Sequence, residues 1–185
     1  MNVLGLDVST SVVGWCVLDN QQAVVAMGHI DFKGCNNMWE KADVALKELQ
    51  NIEIAHAPFT KICIEEPLLG FKTGQSSMAT ISTLLKFNGL LSYGARSIFK
   101  LDPVMISSGT ARKTCGMKIQ RVSKCGLSGK EQSFQWCVDP VSGPLKHLEP
   151  NFPRTKTGKY QPYVYDRVDA FVIGYAGCLL NTLSS

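Results

Sequence analysis

Val3-Leu4-Gly5-Leu6-Asp7-Val8, the turn Ser9-Thr10-Ser11, and Val12-Val13-Gly14-Trp15-Cys16-Val17-Leu18 form the stretch whose reading decides the fold. Two apolar, β-branched runs flank a short polar turn, which is the pattern of paired strands. The first run ends on an acid. Asp19-Asn20-Gln21-Gln22 makes a second turn, and Val24 to Phe32 adds a third run with rough alternation. The reading is a meander of three antiparallel strands.

Beyond it the pattern changes. From Met38 to about His56, Trp39, Ala42, Ala45, Leu46, Leu49 and Ile52 recur as a helical stripe, closed by Pro58. Ile62-Cys63-Ile64 is a fourth strand that ends in Glu65 and Glu66 and is stopped by Pro67. A helix is predicted over roughly Ser77 to Ser97, with Ile81, Leu84, Leu85, Leu91 and Ala95 facing inward. Val104-Met105-Ile106 is a fifth strand. Ser107 to Gly129 resists assignment, but Ser128-Gly129-Lys130-Glu131 has capping-box spacing and predicts a helix to about Val138. The stretch from Asp139 to Tyr165 holds Pro140, Pro144, Pro150, Pro153 and Pro162 and reads as a basic, Pro-rich insertion. Asp166 is expected to open a last helix with Phe171, Val172, Tyr175, Leu179 and Leu183 inward. Three antiparallel strands followed by α/β units predict an α/β fold: a mixed five-stranded sheet with helices on both faces. The 185 residues are expected to form a single domain.

Composition narrows the function classes. Hydrophobic residues are 45% and charged residues 18%, as in ordinary globular proteins rather than disordered or collagen-like chains. No apolar run is long enough for a membrane span, and no basic leader precedes Asp7, so a cytoplasmic protein without membrane partners is expected. Seven cysteines at irregular spacing suit a reducing compartment. Cys115, Cys125, Cys137 and His147 lack a C-x-x-C pair, which argues against zinc. The net charge of +4 conceals an asymmetry. Arg112 to Lys159 holds ten Lys/Arg against three Asp/Glu, whereas the remainder holds nine against twelve. A polyanion-binding face beside an acidic region is the expectation.

The acids fall into place on this map. Asp7 ends the first strand, Glu65 and Glu66 end the fourth, and Asp166 and Asp169 share one face of the last helix. Sites in open sheets form at the carboxyl ends of strands. Three segments therefore deliver acids to one edge. Their mutual repulsion calls for cations, and oxygen ligands suit Mg²⁺, with Mn²⁺ as a substitute. Two such ions about 4 Å apart make a clamp for phosphodiester cleavage. Each acid also has a plain structural use, as a turn or helix cap.

Taken together, these motifs resemble the RuvC-type Holliday junction resolvases, including phage-type relatives. The opening hairpin with Gly14-Trp15, Ile62-Cys63-Ile64-Glu65-Glu66, and Asp166-Arg167-Val168-Asp169-Ala170 carry the resemblance. It implies an RNase H-like fold and a homodimer built largely on the helix after Ser77. It also implies metal-dependent paired nicking of four-way DNA junctions, with two ions held by Asp7, Glu65, Asp166 and Asp169. Glu65 is the match, with Glu66 as its alternative. Ser128-Gly129-Lys130 is similar to the helix start that sets a lysine near the scissile phosphate, with Lys113 as a second candidate. Arg112, Lys118, Arg121, Lys124, Arg154, Lys156 and Lys159 are the expected phosphate contacts, and Leu68 or Phe71 the junction wedge. Three rival readings stand beside this one: a related nuclease acting on other branched DNA or RNA–DNA hybrids, a catalytically inactive nucleic-acid-binding module, and an actin-like ATP binder. The last is disfavoured because no later Gly-rich loop follows Asp7 to Ser11, so no nucleotide cofactor is expected.

Overall fold

The computed structural model describes residues 1–67 and 78–182. Its strands are β1 (Asn2–Val8), β2 (Val12–Leu18), β3 (Val24–Asp31), β4 (Phe59–Glu65) and β5 (Val104–Ile106). They form one sheet in the order β3-β2-β1-β4-β5. The first three strands are antiparallel, and β4 and β5 run parallel to β1. The predicted mixed sheet is therefore present.

The helices are α1 (Met38–His56), α2 (Met78–Phe99), α3 (Ser108–Thr114), α4 (Val122–Cys125), α5 (Gly129–Val138) and α6 (Pro162–Thr182). Alternation along β1 divides the core in two. Leu4 and Leu6 pack with Leu49 and Ile52 of α1 and Phe87 and Leu91 of α2. Val3, Cys16 and Cys63, on the other face, pack with Phe171, Val172 and Ile173 of α6 and with Phe134 of α5. Helices thus cover both faces. Among the described residues no helix is long and apolar enough to cross a membrane. All seven cysteines are free thiols.

α6 lies unusually close to the sheet. A Cβ on Gly5 would fall 2.1 Å from the Ala170 carbonyl oxygen, and one on Gly14 would fall 2.1 Å from the Asp166 carbonyl oxygen. Only glycine permits that approach at these two positions. The consequence is functional: Gly14 is the register partner of Asp7, so the helix that touches Gly14 brings Asp166 beside Asp7.

Several expectations need correction. α6 begins at Pro162, not Asp166. Proline suits the first turn of a helix, where its missing N–H is not needed, so the Pro-rich stretch ends at 161. That stretch is folded. Leu145 and Phe152 are buried, Arg154 pairs with Tyr160 in an isolated bridge, and Phe134 packs on Phe152, Tyr160 and Tyr165. The unassigned basic stretch contains α3, whose N-cap Ser107 accepts from the Thr110 N–H. Trp39, in the first turn of α1, is 63% exposed, and the buried face of that helix is Ala42, Ala45, Leu49 and Ile52. On α2 the buried face is Phe87, Asn88, Leu91, Gly94, Ala95 and Phe99. Leu85 is exposed, and Ile81 and Leu84 are only half-buried.

Candidate active site

Asp7 sits at the carboxyl end of β1 and Glu65 at the end of β4, on adjacent parallel strands. Asp166 and Asp169 descend from α6. Lys130 enters from the first turn of α5. There the Ser128 hydroxyl accepts from the Glu131 N–H while the Glu131 carboxylate accepts from the Ser128 N–H. That reciprocal cap fixes the start of the helix and with it the base of the lysine side chain.

The Lys130 ammonium lies among the aspartates. Its Nζ donates to Asp166 Oδ1 at 2.6 Å, and stands 3.3 Å from Asp169 Oδ2 and 3.8 Å from Asp7 Oδ2. Arg112 Nη2 is 4.0 Å from Asp169 Oδ1, and Arg112 Nε donates to the Ser133 hydroxyl at 2.8 Å. Burial, then the Glu65 charge, pushes the Asp7 carboxyl well above the usual carboxylate range, against the pull of Lys130. Burial, then the Asp7 charge, pushes Asp169 up to about 7, although Lys130 and Arg112 oppose it. For Lys130 burial acts downward, but Asp169, Asp7 and Asp166 outweigh it and hold the ammonium above its ordinary range. Buried carboxyls with raised pKa values beside a captive cation make this cluster a functional-site candidate.

The donor set fits a hard divalent cation. It is all oxygen, it carries more acid than the local bases neutralise, and an ammonium already stands between three aspartates. Among the described residues no three acid, His or Cys side chains are closed around one metal-sized point; Lys130 stands there instead. Glu65 rather than Glu66 faces this cluster. Glu66 is exposed, and its N–H donates to the Ile106 carbonyl.

A comparison with solved structures finds Thermus thermophilus RuvC, with a TM-score of 0.65 and 12% identity over 100% of this chain and 97% of that one. It also finds T. thermophilus RuvC in complex with Holliday junction substrate, with a TM-score of 0.61 and 10% identity over 99% of this chain and 96% of that one. The chain has the RuvC fold. No protein-family model matches the sequence, and a search of curated proteins returns no match. The mixed five-stranded sheet is the one that the family resemblance implies.

Measured on this RuvC-type frame, the other expected site residues divide. Lys113, Lys118, Arg121, Lys124, Lys156 and Lys159 are exposed. Arg112 is not: it is half-buried among the carboxylates, in the cluster rather than on the open basic surface. Arg154 is exposed but ion-paired with Glu149 at 2.6 Å. Leu68 and Phe71 lie outside the described residues.

One cluster has no sequence counterpart. His29, which reads as an isolated histidine, stacks on Tyr163 at 3.8 Å between ring centroids, and its Nδ1 meets Arg167 Nη2 at 2.9 Å. Burial, then the Arg167 charge, lowers the His29 pKa, consistent with a neutral ring that accepts from the arginine. This contact ties the start of α6 to β3. The signal that locates it is strand register, because His29 pairs with Gly14, which pairs with Asp7.

Proposed function

We propose that this chain is a structure-selective DNA endonuclease that resolves four-way junctions by paired, divalent-metal-dependent hydrolysis. The observation that carries the reading is the Lys130 ammonium held by Asp7, Asp166 and Asp169, with Glu65 alongside: a cation seat at the carboxyl edge of a RuvC-type sheet. Asp7, Glu65, Asp166 and Asp169 would hold two Mg²⁺ ions, or Mn²⁺ in their place, which supply Lewis acidity and charge neutralisation at the scissile phosphate.

The remaining work falls to the protein. Water adds to phosphorus and the P–O bond to the 3′ oxygen breaks, leaving a 5′-phosphate end. Lys130, anchored by the capped start of α5, places a positive charge where negative charge builds on the phosphate oxygens. Arg112, locked to Ser133, restrains Asp169. Exposed Lys113, Lys118, Arg121, Lys124, Lys156 and Lys159 contact backbone phosphates, so binding falls steeply with salt and depends little on base sequence.

The protein acts as a homodimer, because a two-fold pair presents two equal sites to a near two-fold junction. The exposed apolar side chains of α2, Met78, Leu85 and Tyr93, supply an apolar face for that pairing. It works as a single RNase H-like domain with an insertion, in the reducing cytoplasm, where seven free thiols are stable. Parallel cleavage of a mobile four-way junction, a fork, an RNA–DNA hybrid and a linear duplex in Mg²⁺ tests the reading. Preference for the junction is expected. Preference for the fork or the hybrid would favour a related nuclease, and tight junction binding without cutting an inactive module.

A further inference from the structure

The folded insertion walls an open groove of about 710 Å³ that runs into the carboxylate site through Lys130 and Asp166. Arg154, Lys159, Tyr160 and Tyr165 line the rest of it. Arg154 is the informative residue, because most of its hydrogen-bonding fork is already engaged. Nη2 donates to Glu149 Oε1 at 2.6 Å and to the Tyr160 hydroxyl at 2.7 Å, and Nη1 donates to the Gly158 carbonyl at 3.1 Å. The Tyr160 hydroxyl in turn donates to Glu149. The guanidinium lies 4.1 Å from the Tyr160 ring centroid, and that ring packs 4.7 Å from Phe134. Yet the Arg154 side chain is 46% exposed.

An arginine with three of its five N–H donors engaged and its charge paired with Glu149 is a poor phosphate clamp. What it still offers is a flat, rigid face. Guanidinium planes and aromatic rings are the platforms on which unpaired bases stack. Resting on the DNA-cleaving reading above, we propose that this groove is a base-binding subsite. The Arg154–Tyr160 stack receives one unpaired base of the scissile strand beside the cut, and exposed Lys159 holds that nucleotide's phosphate. Because stacking engages the π-face that every base presents, the subsite senses that a base is present and unstacked, not which base it is.

The test is a binding scan on a synthetic four-way junction in Ca²⁺, with single abasic sites placed at each of the few nucleotides flanking the mapped cut. Loss of a stacked base at one position is expected to weaken wild-type binding by roughly 5- to 150-fold. Arg154→Lys keeps the charge but loses the plane; it is expected to bind the intact junction correspondingly less well and to ignore that abasic site. A wild-type scan that is flat at every position overturns the subsite without recourse to any variant. So does an Arg154→Lys protein that still suffers the full abasic penalty. Normal cutting of the intact junction with a flat scan refutes the subsite alone, whereas no cutting of the intact junction by the wild type refutes the nuclease reading itself.

Discussion

Gly14→Ala should separate the fold from its site. A Cβ at Gly14 falls 2.1 Å from the Asp166 carbonyl oxygen and 2.4 Å from its carbon, and both are backbone atoms of α6. Ordinary contact starts at 3.4 Å, so α6 must retreat from the sheet by about 1.3 Å. Overpacking of this kind costs about 1–3 kcal/mol. For a chain of this size, each kcal/mol shifts Tm by about 2–4 °C, so a fall of about 2–12 °C is expected. The same retreat carries Asp166 and Asp169 away from Asp7. A misplacement near 1 Å costs about 100-fold in rate. Junction cleavage should therefore fall about 100-fold in a protein that still melts cooperatively. Gly89→Ala is the control, because Gly89 lies on the exposed side of α2 and nothing lies within 4 Å of its Cβ; it should stabilise by about 0.5–1 kcal/mol. A Gly14→Ala protein with wild-type Tm and wild-type cleavage would refute the argument that α6 sits on Gly14.

Three further outcomes follow from the site. Asp169 has a folded pKa of about 7 against an ordinary value of 3.8. The metal-free protein therefore has stability that is full below about pH 4 and is lost as pH rises through about 7. Thermal melts in EDTA should show wild-type Tm falling between pH 5 and pH 8; Asp169→Asn should flatten that fall, and an unchanged slope would count against the assignment. Ser128→Ala removes the cap of α5 and should cost about 1 kcal/mol, read as a drop of about 2–4 °C in Tm. Lys130→Gln should lower kcat by roughly 100- to 1,000-fold while junction affinity changes little; a pure affinity loss would make Lys130 a phosphate anchor instead.

How far the chain could be read in advance depended on how local each cause was. β1, β2, β5, α1 and α5 were legible because alternation, helical stripes and the Ser128–Glu131 box are short-range signals. The four acids were legible because strand ends and an i, i+3 pair place them without knowledge of packing. The start of α6 was not, since Pro162-Tyr163-Val164-Tyr165 continues the Pro-rich stretch in sequence, and only packing on Phe134 and β3 sets it apart. Arg112 looked like a surface base, and only the tertiary approach of α3 to α6 puts it beside Asp169. Trp39 and Leu85 continue their helical stripes but are exposed. Periodicity reports a face, not what meets it.

The most direct test of the central claim is Mg²⁺-dependent cleavage of a four-way junction by the wild type and by Asp7→Asn, with binding followed in parallel. Asp7 is buried between Glu65 and Lys130 at the carboxyl end of β1. The account predicts paired nicks from the wild type, and junction binding without nicks from Asp7→Asn. Equal cutting by the two proteins would contradict it.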